Sequence, residues 1–344
     1  MNYQPSKQTK APAGLSSFLA PFSDFLQRDD VTEICLNKPH GFFVETYEGW
    51  THHASETLNM SFLHGLATAV GSFTKQEIST TNPILSGTLP DGERIQIVTP
   101  PAVPAGTISI TIRRPSNRTW SLQELSDMGL FENVSTDTTQ MSTEDNELIE
   151  LHTAKNWVGF LTKAVQAKKN ILVSGATGTG KTTFSKALIP LIPAHERLIT
   201  IEDTVELEIP QENNVRLIYS KGAQGASNVS ARELLESSLR MRPDRIFLQE
   251  LRDATAFYYL RNVNTGHSGS ITTIHADSAM LAFVQLALLV KESEAGRDLS
   301  RSEIQEMLIQ MVDIVIQIKR VGKERRITEI YFDPARKHAN EVAS

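Results

Sequence analysis

The pattern of apolar and polar residues divides the chain into a tail and two folded parts. Residues 1–17 are mostly polar with scattered Lys and Pro, which predicts a flexible tail. Over residues 18–118, short β-branched and aromatic runs alternate with turn residues, which predicts a compact α+β N-terminal domain. The predicted strands are 31–36, 42–47, 94–99 and 107–113, the predicted helix is 58–73, and turns fall at 37–41, 90–92 and 100–106.

Polar residues interrupt this pattern before a regular alternation of strands and helices begins. Ser, Thr, Asp, Glu and Asn crowd residues 131–147, so we predict an interdomain linker over 119–147. The alternation that follows predicts a largely parallel sheet with helices on both faces, an α/β domain over 148–344. Its predicted strands are 170–174, 198–202, 245–249 and 270–274, and its predicted helices are 147–168, 182–189, 231–241, 255–263 and 280–290.

Composition narrows the class of protein. A chain of 344 residues suits two domains, and a formal charge of −6 argues against a whole-surface grip on nucleic acid, while leaving a local basic patch open. The single cysteine, Cys35, lies in an apolar run and predicts a buried thiol, with no disulfide framework and no CxxC zinc site. The longest apolar stretch, 279–290, is too short to span a bilayer, and the N-terminus has no secretory h-region. We expect a cytoplasmic protein that serves a membrane, if at all, from its cytoplasmic face.

The strongest chemical signal is a phosphate-binding loop. Residues 175–182 read GATGTGKT and match G-x-x-x-x-G-K-[ST] between a predicted strand and a predicted helix. Glycines let the backbone wrap a phosphate with its N–H groups, Lys181 places a positive charge on the outer phosphates, and the Thr182 hydroxyl can ligate Mg²⁺. The pattern predicts ATP and Mg²⁺ as ligands. The predicted phosphate-binding residues are Gly175, Ala176, Thr177, Gly178, Thr179, Gly180, Lys181, Thr182 and Thr183.

Two predicted strands end in acidic residues. Glu202 closes the strand 198–202 and could orient the attacking water, or could simply begin a solvated loop. Glu250 follows the strand 245–249, at the carboxyl edge where α/β sheets bind ligands. There it could hold the Mg²⁺ shell or act as a base on water, or it could pair with Arg252.

Two histidines surround the last predicted strand. His267 and His275 are separated by eight positions, which is not a usual spacing for metal ligands. Gly266 and Gly269 permit close backbone approach next to His267, and Thr273 accompanies His275 at the strand end. Their surroundings favour a role in the site over a structural one.

Together these blocks resemble the secretion-superfamily ATPases, which drive type II secretion, type IV pili and type IV secretion. The phosphate loop, IEDTVE, LRMRPDRIFLQELRD and GHSGSITTIHA occur in that family's order. With one cysteine, the chain has no tetracysteine zinc module of the kind that type II secretion and pilus-extension motors usually carry. The N-terminal segments VTEICLNKPHGFFVE, PDGERIQIVTPP and TISITIRRPS look like the ring ATPase of type IV secretion and conjugation systems.

The resemblance implies a RecA-like P-loop C-terminal domain, a smaller α+β N-terminal domain, and a hexamer of two stacked rings with nucleotide between the domains. One residue departs from the wider family, because Gln249 stands where Gly usually precedes the acidic residue. Strand alternation sends Gln249 and Glu250 to opposite faces, so we expect altered packing and unchanged catalysis. The implied roles are catalysis for Lys181, Glu202, Glu250, His267 and His275, and Mg²⁺ binding for Thr182 and Glu250. Arg94 and Arg113, with Arg114 as a further match, correspond to arginines that reach toward the terminal phosphate, and Arg240 is a candidate for a charge that responds to it. The alternative for Arg113 and Arg114 is that both are solvated or contact acidic residues of the linker.

The function implied is a hexameric ATPase that energises substrate translocation or pilus biogenesis. Its expected partners are inner-membrane components of the secretion machine, including other ATPases, and its expected location is peripheral on the cytoplasmic face of the inner membrane. A pilus-retraction motor shares every block and is the nearest alternative. A DNA motor or helicase is a second alternative, poorly supported by the acidic balance and few aromatics, and leaves direct nucleic-acid binding open. A nucleotide-gated scaffold with little turnover is a third.

Overall fold

The computed structural model describes residues 12–115, 119–134, 141–220 and 227–343, with side chains as far as 339. Within it the chain forms two compact units. The first unit comprises Met1–Glu124 with Val215–Arg242, and the second comprises Leu125–Asn214 with Pro243–Ser344. The segment Val215–Arg242 thus groups with the first unit, although it lies inside the predicted ATPase domain of residues 148–344.

The elements of the first half of the chain alternate between short helices and antiparallel strands. In chain order they are α1 (Ala13–Leu19), a 3₁₀ turn (Ala20–Phe22), α2 (Ser23–Leu26), β1 (Val31–Leu36), β2 (Gly41–Thr46), β3 (Gly49–Ala54), α3 (Met60–Thr74), β4 (Ile84–Thr88), β5 (Arg94–Val98), β6 (Ser109–Arg113), α4 (Leu122–Asp127), α5 (Thr143–Thr153) and α6 (Trp157–Gln166).

The second half alternates parallel strands with helices before it ends in a hairpin. In chain order its elements are β7 (Ile171–Ser174), α7 (Lys181–Leu188), a 3₁₀ turn (Ile189–Leu191), β8 (Leu198–Glu202), β9 (Asn214–Ile218), α8 (Ala231–Ser238), β10 (Arg245–Leu248), α9 (Thr255–Val263), β11 (Ile271–Ile274), α10 (Ala279–Glu292), α11 (Arg301–Met311), β12 (Ile314–Val321), β13 (Glu324–Phe332) and α12 (Pro334–Ala343).

The first unit is built on one antiparallel six-stranded sheet of order β3-β2-β1-β6-β5-β4. Its core joins the apolar face of the sheet to α1 and α3, with Leu15, Phe22, Ile34 and Leu63 at most 2% exposed. Because Leu15 is buried in this core, the prediction of a flexible tail is wrong for residues 13–17. Residues 1–11 of the predicted tail lie outside the described residues.

The second unit carries the parallel sheet. β10 and β8 pair in parallel, and β7 lies between parallel β11 and β12 in a sheet of order β11-β7-β12-β13. A parallel bridge between Glu250 and Thr273 joins β10 to β11 just beyond the end of β10. The carboxyl ends of β7, β10 and β11 therefore meet at one edge, which is where side chains converge in such sheets.

Most predicted elements are confirmed within two residues, and the differences have local causes. The predicted helix 147–168 is two helices, because Lys155 adopts a left-handed φ of 55° and the Asn156 side chain then caps α6 through the Gly159 amide. Helical spacing would place Val158 on one face with Leu148 and Leu161, which are buried, but Val158 is 80% exposed because the helix is interrupted. Of the predicted linker, residues 143–147 belong to α5 and residues 135–140 lie outside the described residues. The strands β3, β4, β9, β12 and β13 were not predicted.

Over the residues that the structure describes, we find no helix that is long and apolar enough to cross a bilayer.

Candidate active site

The phosphate loop joins a fully buried strand to the first turn of α7. All four residues of β7 are buried, so the loop leaves the sheet from a rigid position. Gly178 and Gly180 adopt φ of 76° and 97°, a region that L side chains rarely enter. A Cβ on Gly175 would lie 2.5 Å from the Ile318 carbonyl oxygen of β12. Gly175 is therefore required by close packing, whereas Gly178 and Gly180 are required by backbone conformation.

Lys181 turns its ammonium group back over the loop. Its Nζ donates hydrogen bonds to the Gly175 carbonyl at 2.8 Å, to the Ala176 carbonyl at 3.1 Å and to His275 Nδ1 at 3.2 Å. The residue is 8% exposed. This burial lowers the pKa of Lys181 below the ordinary lysine value, and the negative charge of Glu250 partly opposes that shift. Lys181 is thus a partly dehydrated cation held in place by three acceptors.

His275 connects Lys181 to Glu250. Its Nε2 lies 2.8 Å from Glu250 Oε1, while Nδ1 accepts from Lys181. With Nδ1 as acceptor, the neutral ring carries its proton on Nε2 and donates it to the carboxylate. Arg252 Nη1 lies 3.8 Å from the other oxygen of Glu250. The structure thus brings three predicted catalytic side chains, from α7, β10 and β11, into one hydrogen-bonded chain, and Glu250 also lies near Arg252.

Glu202 has a different environment from Glu250. It is fully buried, and its Oε2 accepts from the backbone N–H groups of Glu206 and Leu207 at 2.8 and 2.9 Å. Its Oε1 accepts from the Thr200 hydroxyl at 2.7 Å. In this arrangement the carboxylate shapes the turn after β8, so the alternative of a solvated Glu202 is wrong.

The turn shaped by Glu202 is tied to the end of β10. Asp203 accepts from Arg252 Nη2 at 2.8 Å, and Glu206 accepts from the Gln249 amide at 2.9 Å. Gln249, the departure from the family pattern, therefore contributes a cross-strand hydrogen bond. These two contacts hold the turn after β8 against the residues that follow β10.

His267 lies on the loop between α9 and β11 and is half-buried. The later part of that loop is fixed by Asn170, whose Oδ1 accepts from the N–H groups of Gly269 and Ser270. Arg245, fully buried and paired with Glu196 at 2.7 Å, also donates to the Gly269 carbonyl. The loop is therefore anchored at Gly269 and Ser270, and the catalytic role of His267 stays a prediction.

Three of the four arginines that the sequence singled out line one groove in the first unit. Arg94 and Arg113 are direct partners across β5 and β6, and Arg240 follows α8 in the same groove. The Arg113 side chain is 65% exposed, with Nε 3.5 Å from buried Glu33. Arg114, in contrast, is 10% exposed and donates to Asp29 and to the Arg28 carbonyl. Like charges directly opposite each other destabilise a sheet, and the buried carboxylate of Glu33, which is the partner of Arg113 on β1, supplies a negative charge beside this pair.

One arginine near the phosphate loop was missed by sequence reasoning. The side chain of Arg325, on β13, approaches within 3.1 Å of where a Gly180 Cβ would lie. The two residues are 145 positions apart, and no local pattern indicates that β13 returns beside the loop. Arg325 is exposed and adds positive charge next to the phosphate loop.

The residues present suit a Mg²⁺ ion that has few protein ligands. Among the described side chains, no cluster of three or more His, Cys, Asp or Glu could hold a metal. Mg²⁺ in nucleotide sites is commonly held by one or two protein oxygens together with water and phosphate oxygens. Thr182, half-buried on the first turn of α7, supplies such an oxygen beside the loop.

Comparison with known proteins gives concordant similarities over nearly the whole chain. Residues 19–341 match the family described as "Type II/IV secretion system protein". The type IV secretion system protein VirB11 of Bartonella henselae is 53% identical, with 92% of each chain covered. VirB11 of Brucella suis is 41% identical, with 96% of this chain and 93% of that protein covered. The crystal structure of the Brucella suis VirB11 ATPase in complex with sulphate superposes with a TM-score of 0.91 at 40% identity. The superposition covers 97% of this chain and 98% of that chain.

Proposed function

Because the chain belongs to the type II/IV secretion system protein family and is an ATP-hydrolysing enzyme of type IV secretion, we propose that it binds ATP with Mg²⁺ at the 175–182 loop and hydrolyses it beside Glu250. The observation that carries this proposal is the chain of contacts from Lys181 through His275 to Glu250. It joins a phosphate-binding cation to a carboxylate at the sheet edge, and these are two of the parts on which phosphoryl transfer to water depends.

Glu250 is the proposed general base. A carboxylate that is partly exposed can reach a water molecule, and the Glu250 side chain is 24% exposed whereas Glu202 is fully buried. His275 holds one oxygen of Glu250 and so orients the carboxylate. Glu202 acts as a positioning residue through the turn it shapes, and His267 is proposed to contact the nucleotide from its anchored loop.

Mg²⁺ is proposed to bind through Thr182, with Glu250 holding its water shell. The ion would neutralise charge on the phosphate oxygens when it is bound. Arg94, Arg113 and Arg240 are proposed to contact the terminal phosphate, since a guanidinium remains charged and can bind phosphate oxygens in pairs. The Brucella suis relative was crystallised with sulphate, an anion of similar geometry.

The chain is proposed to work as a homohexameric ring, placed peripherally on the cytoplasmic face of the inner membrane. There it would act with inner-membrane components of the secretion machine and its other ATPases, in translocation or pilus biogenesis. The type IV secretion relatives favour this assignment over a retraction motor, a DNA motor or a passive scaffold.

The central test is the substitution Lys181→Gln. We expect it to abolish ATP hydrolysis, measured as phosphate release, while the thermal unfolding midpoint stays close to that of the parent protein. Lys186→Gln is the matched control, because Lys186 lies on the same helix but faces Glu208 at 3.4 Å. Substantial turnover by a folded Lys181→Gln protein would contradict the proposed site.

A further inference from the structure

Helix α10 presents an unusually apolar exposed face. Met280, Val284 and Leu288, which lie four residues apart, are 54%, 39% and 56% exposed, and Leu281 beside them is 49% exposed. Residues at this spacing share one side of a helix. Large apolar side chains that cluster on a surface mark an interaction site more often than single ones do.

This face forms one wall of a groove against α11. The apolar groove is lined by Val284, Ala287 and Leu288 of α10 and by Ile304 of α11. The two charged residues that line it, Lys291 and Arg301, are both basic. The surface therefore suits an apolar segment that carries negative charge.

The same chain contains such a segment, which we call the apolar turn, at residues 128–134. Its sequence is MGLFENV, with one acidic residue and no basic one, and it follows the acidic helix α4. Met128, Leu130, Phe131 and Val134 are 58%, 58%, 48% and 60% exposed. Four apolar side chains in seven residues thus face outward.

The apolar turn is ordered by its own backbone. Gly129 adopts a left-handed φ of 87°, its N–H donates to the Ser126 carbonyl, and the Leu130 N–H donates to the Leu125 carbonyl. This pair of bonds is the Schellman arrangement that ends a helix. The exposed side chains are therefore presented in a fixed conformation, which lowers the entropy lost on docking.

We infer that the apolar turn of one copy docks into the apolar groove of a neighbouring copy, with Glu132 beside Arg301. Both surfaces are exposed on the same chain and are complementary in polarity and charge, so a second copy can supply the segment that covers each of them. The turn and the groove are different surfaces, so the contact is head-to-tail, and repetition of a head-to-tail contact closes a ring when the rotation allows. This inference rests on the proposed ring and names a contact that would build it.

Cross-linking between copies tests the contact directly. The native thiol, Cys35, is buried, so a short bismaleimide will react mainly with introduced cysteines. Purified Leu288→Cys and Leu130→Cys proteins, which carry tags of different length, are mixed and assembled in the presence of an ATP analogue. The mixture is then treated with the bismaleimide. We expect a cross-linked heterodimer in the mixture and none in either protein alone. Val158→Cys, at an 80% exposed position on α6 that belongs to neither surface, replaces Leu130→Cys as the control and should give no cross-linked heterodimer.

A charge exchange gives an independent readout. Arg301→Glu and Glu132→Arg should each raise the protein concentration needed for half-assembly by about tenfold, because each places like charges together at the contact. The double variant should recover assembly to within about threefold of the parent, while Lys38→Glu should have little effect. Light scattering measures the assembly.

The outcomes separate this inference from the proposed function. If rings form and hydrolyse ATP but give no cross-link and no recovery in the double variant, the docking contact is wrong and the motor stands. If ATP is hydrolysed by a protein that remains monomeric at every concentration, both the contact and the ring are wrong. If neither hydrolysis nor nucleotide binding occurs, the proposed function is wrong whatever the cross-links show.

Discussion

At the scale of single residues, the site depends on the electrostatic interaction between Lys181 and Glu250, which His275 connects. Burial disfavours the charged form of Lys181, whereas Glu250 favours it. A bound phosphate would add further negative charge and favour the ammonium more strongly. The protonation of Lys181 is therefore linked to nucleotide binding.

This linkage predicts the pH dependence of ATP affinity. The pKa of Lys181 lies below the ordinary lysine value before ATP binds and rises when phosphate is present. ATP affinity should therefore be greatest when the pH is below the pKa of Lys181 in the protein without ATP, and it should fall as the pH rises through that pKa. This fall should begin at a lower pH than it would for an exposed lysine. Calorimetry across alkaline pH measures this fall. A Lys181→Arg protein, whose guanidinium remains charged, should show a flatter profile over the same range, and equal slopes would contradict the linkage.

Substitution of Glu250 tests the assignment of the base. Glu250→Gln should retain ATP binding and lower hydrolysis by about two orders of magnitude or more, the scale of a positioned acid or base group. Glu212→Gln, an exposed position, serves as the control. If the Glu250→Gln protein unfolds or no longer binds ATP, the carboxylate has a structural role.

Sequence reasoning works best for residues whose roles depend on near neighbours. The position of the loop between β7 and α7 was predicted, because its glycines, lysine and hydroxyl lie within eight residues of one another. The environment of Glu202 was left open because its partners, the amides of Glu206 and Leu207, depend on the path of the turn. Arg325 reaches the loop through a hairpin that starts far along the chain.

At the scale of elements, the four buried strands that alternate with helices were predicted, whereas β12, which is buried over its first five residues, and several more exposed strands were missed. β7, β8, β10 and β11 are buried throughout, and their short runs of apolar or β-branched residues were recognised. β3 and most of β13 are exposed, so no such run marks them. These strands form through pairing with β2 and β12, which a single segment does not reveal.

The buried ion pair between Arg245 and Glu196 should stabilise the second unit, because Arg245 also contacts two other segments of the chain. Arg245 donates to Glu196, to the Val165 carbonyl at the end of α6 and to the Gly269 carbonyl before β11. Glu196→Gln removes the partner charge of a buried cation and should lower the free energy of unfolding by about 3 kcal/mol. The shift in the midpoint of chemical denaturation measures it.

The control for this prediction is an exposed pair on α8. Arg232 and Glu236 lie one helical turn apart and are each about half exposed. Glu236→Gln should cost roughly 0.5 kcal/mol or less. Equal shifts for the two variants would show that the Arg245 pair has no special structural role.

At the scale of the whole molecule, the proposed motor requires the first unit to respond to the nucleotide. Arg113→Ala should slow turnover and weaken the preference for ATP over ADP, with little loss of stability, because that side chain is 65% exposed. Arg114→Ala is the matched control. It removes a largely buried side chain from Asp29, so it should lower stability by about 1–3 kcal/mol and leave the ATP/ADP preference intact. An unchanged preference and normal turnover in Arg113→Ala would assign Arg113 to the surface.

The grouping of Val215–Arg242 with the first unit has a consequence for how the protein is made. The buried amide of Gln96 donates to Ser237, and Glu45 accepts from Arg242. Each of these hydrogen bonds can form only after a residue more than 100 positions further along the chain has been translated. A ribosome adds roughly 5–20 residues per second, so several seconds separate the emergence of residue 124 from that of residue 242. During that interval the first unit lacks α8 and keeps two polar groups without their final partners. The unit that begins the chain is therefore completed only after most of the phosphate site has already been translated.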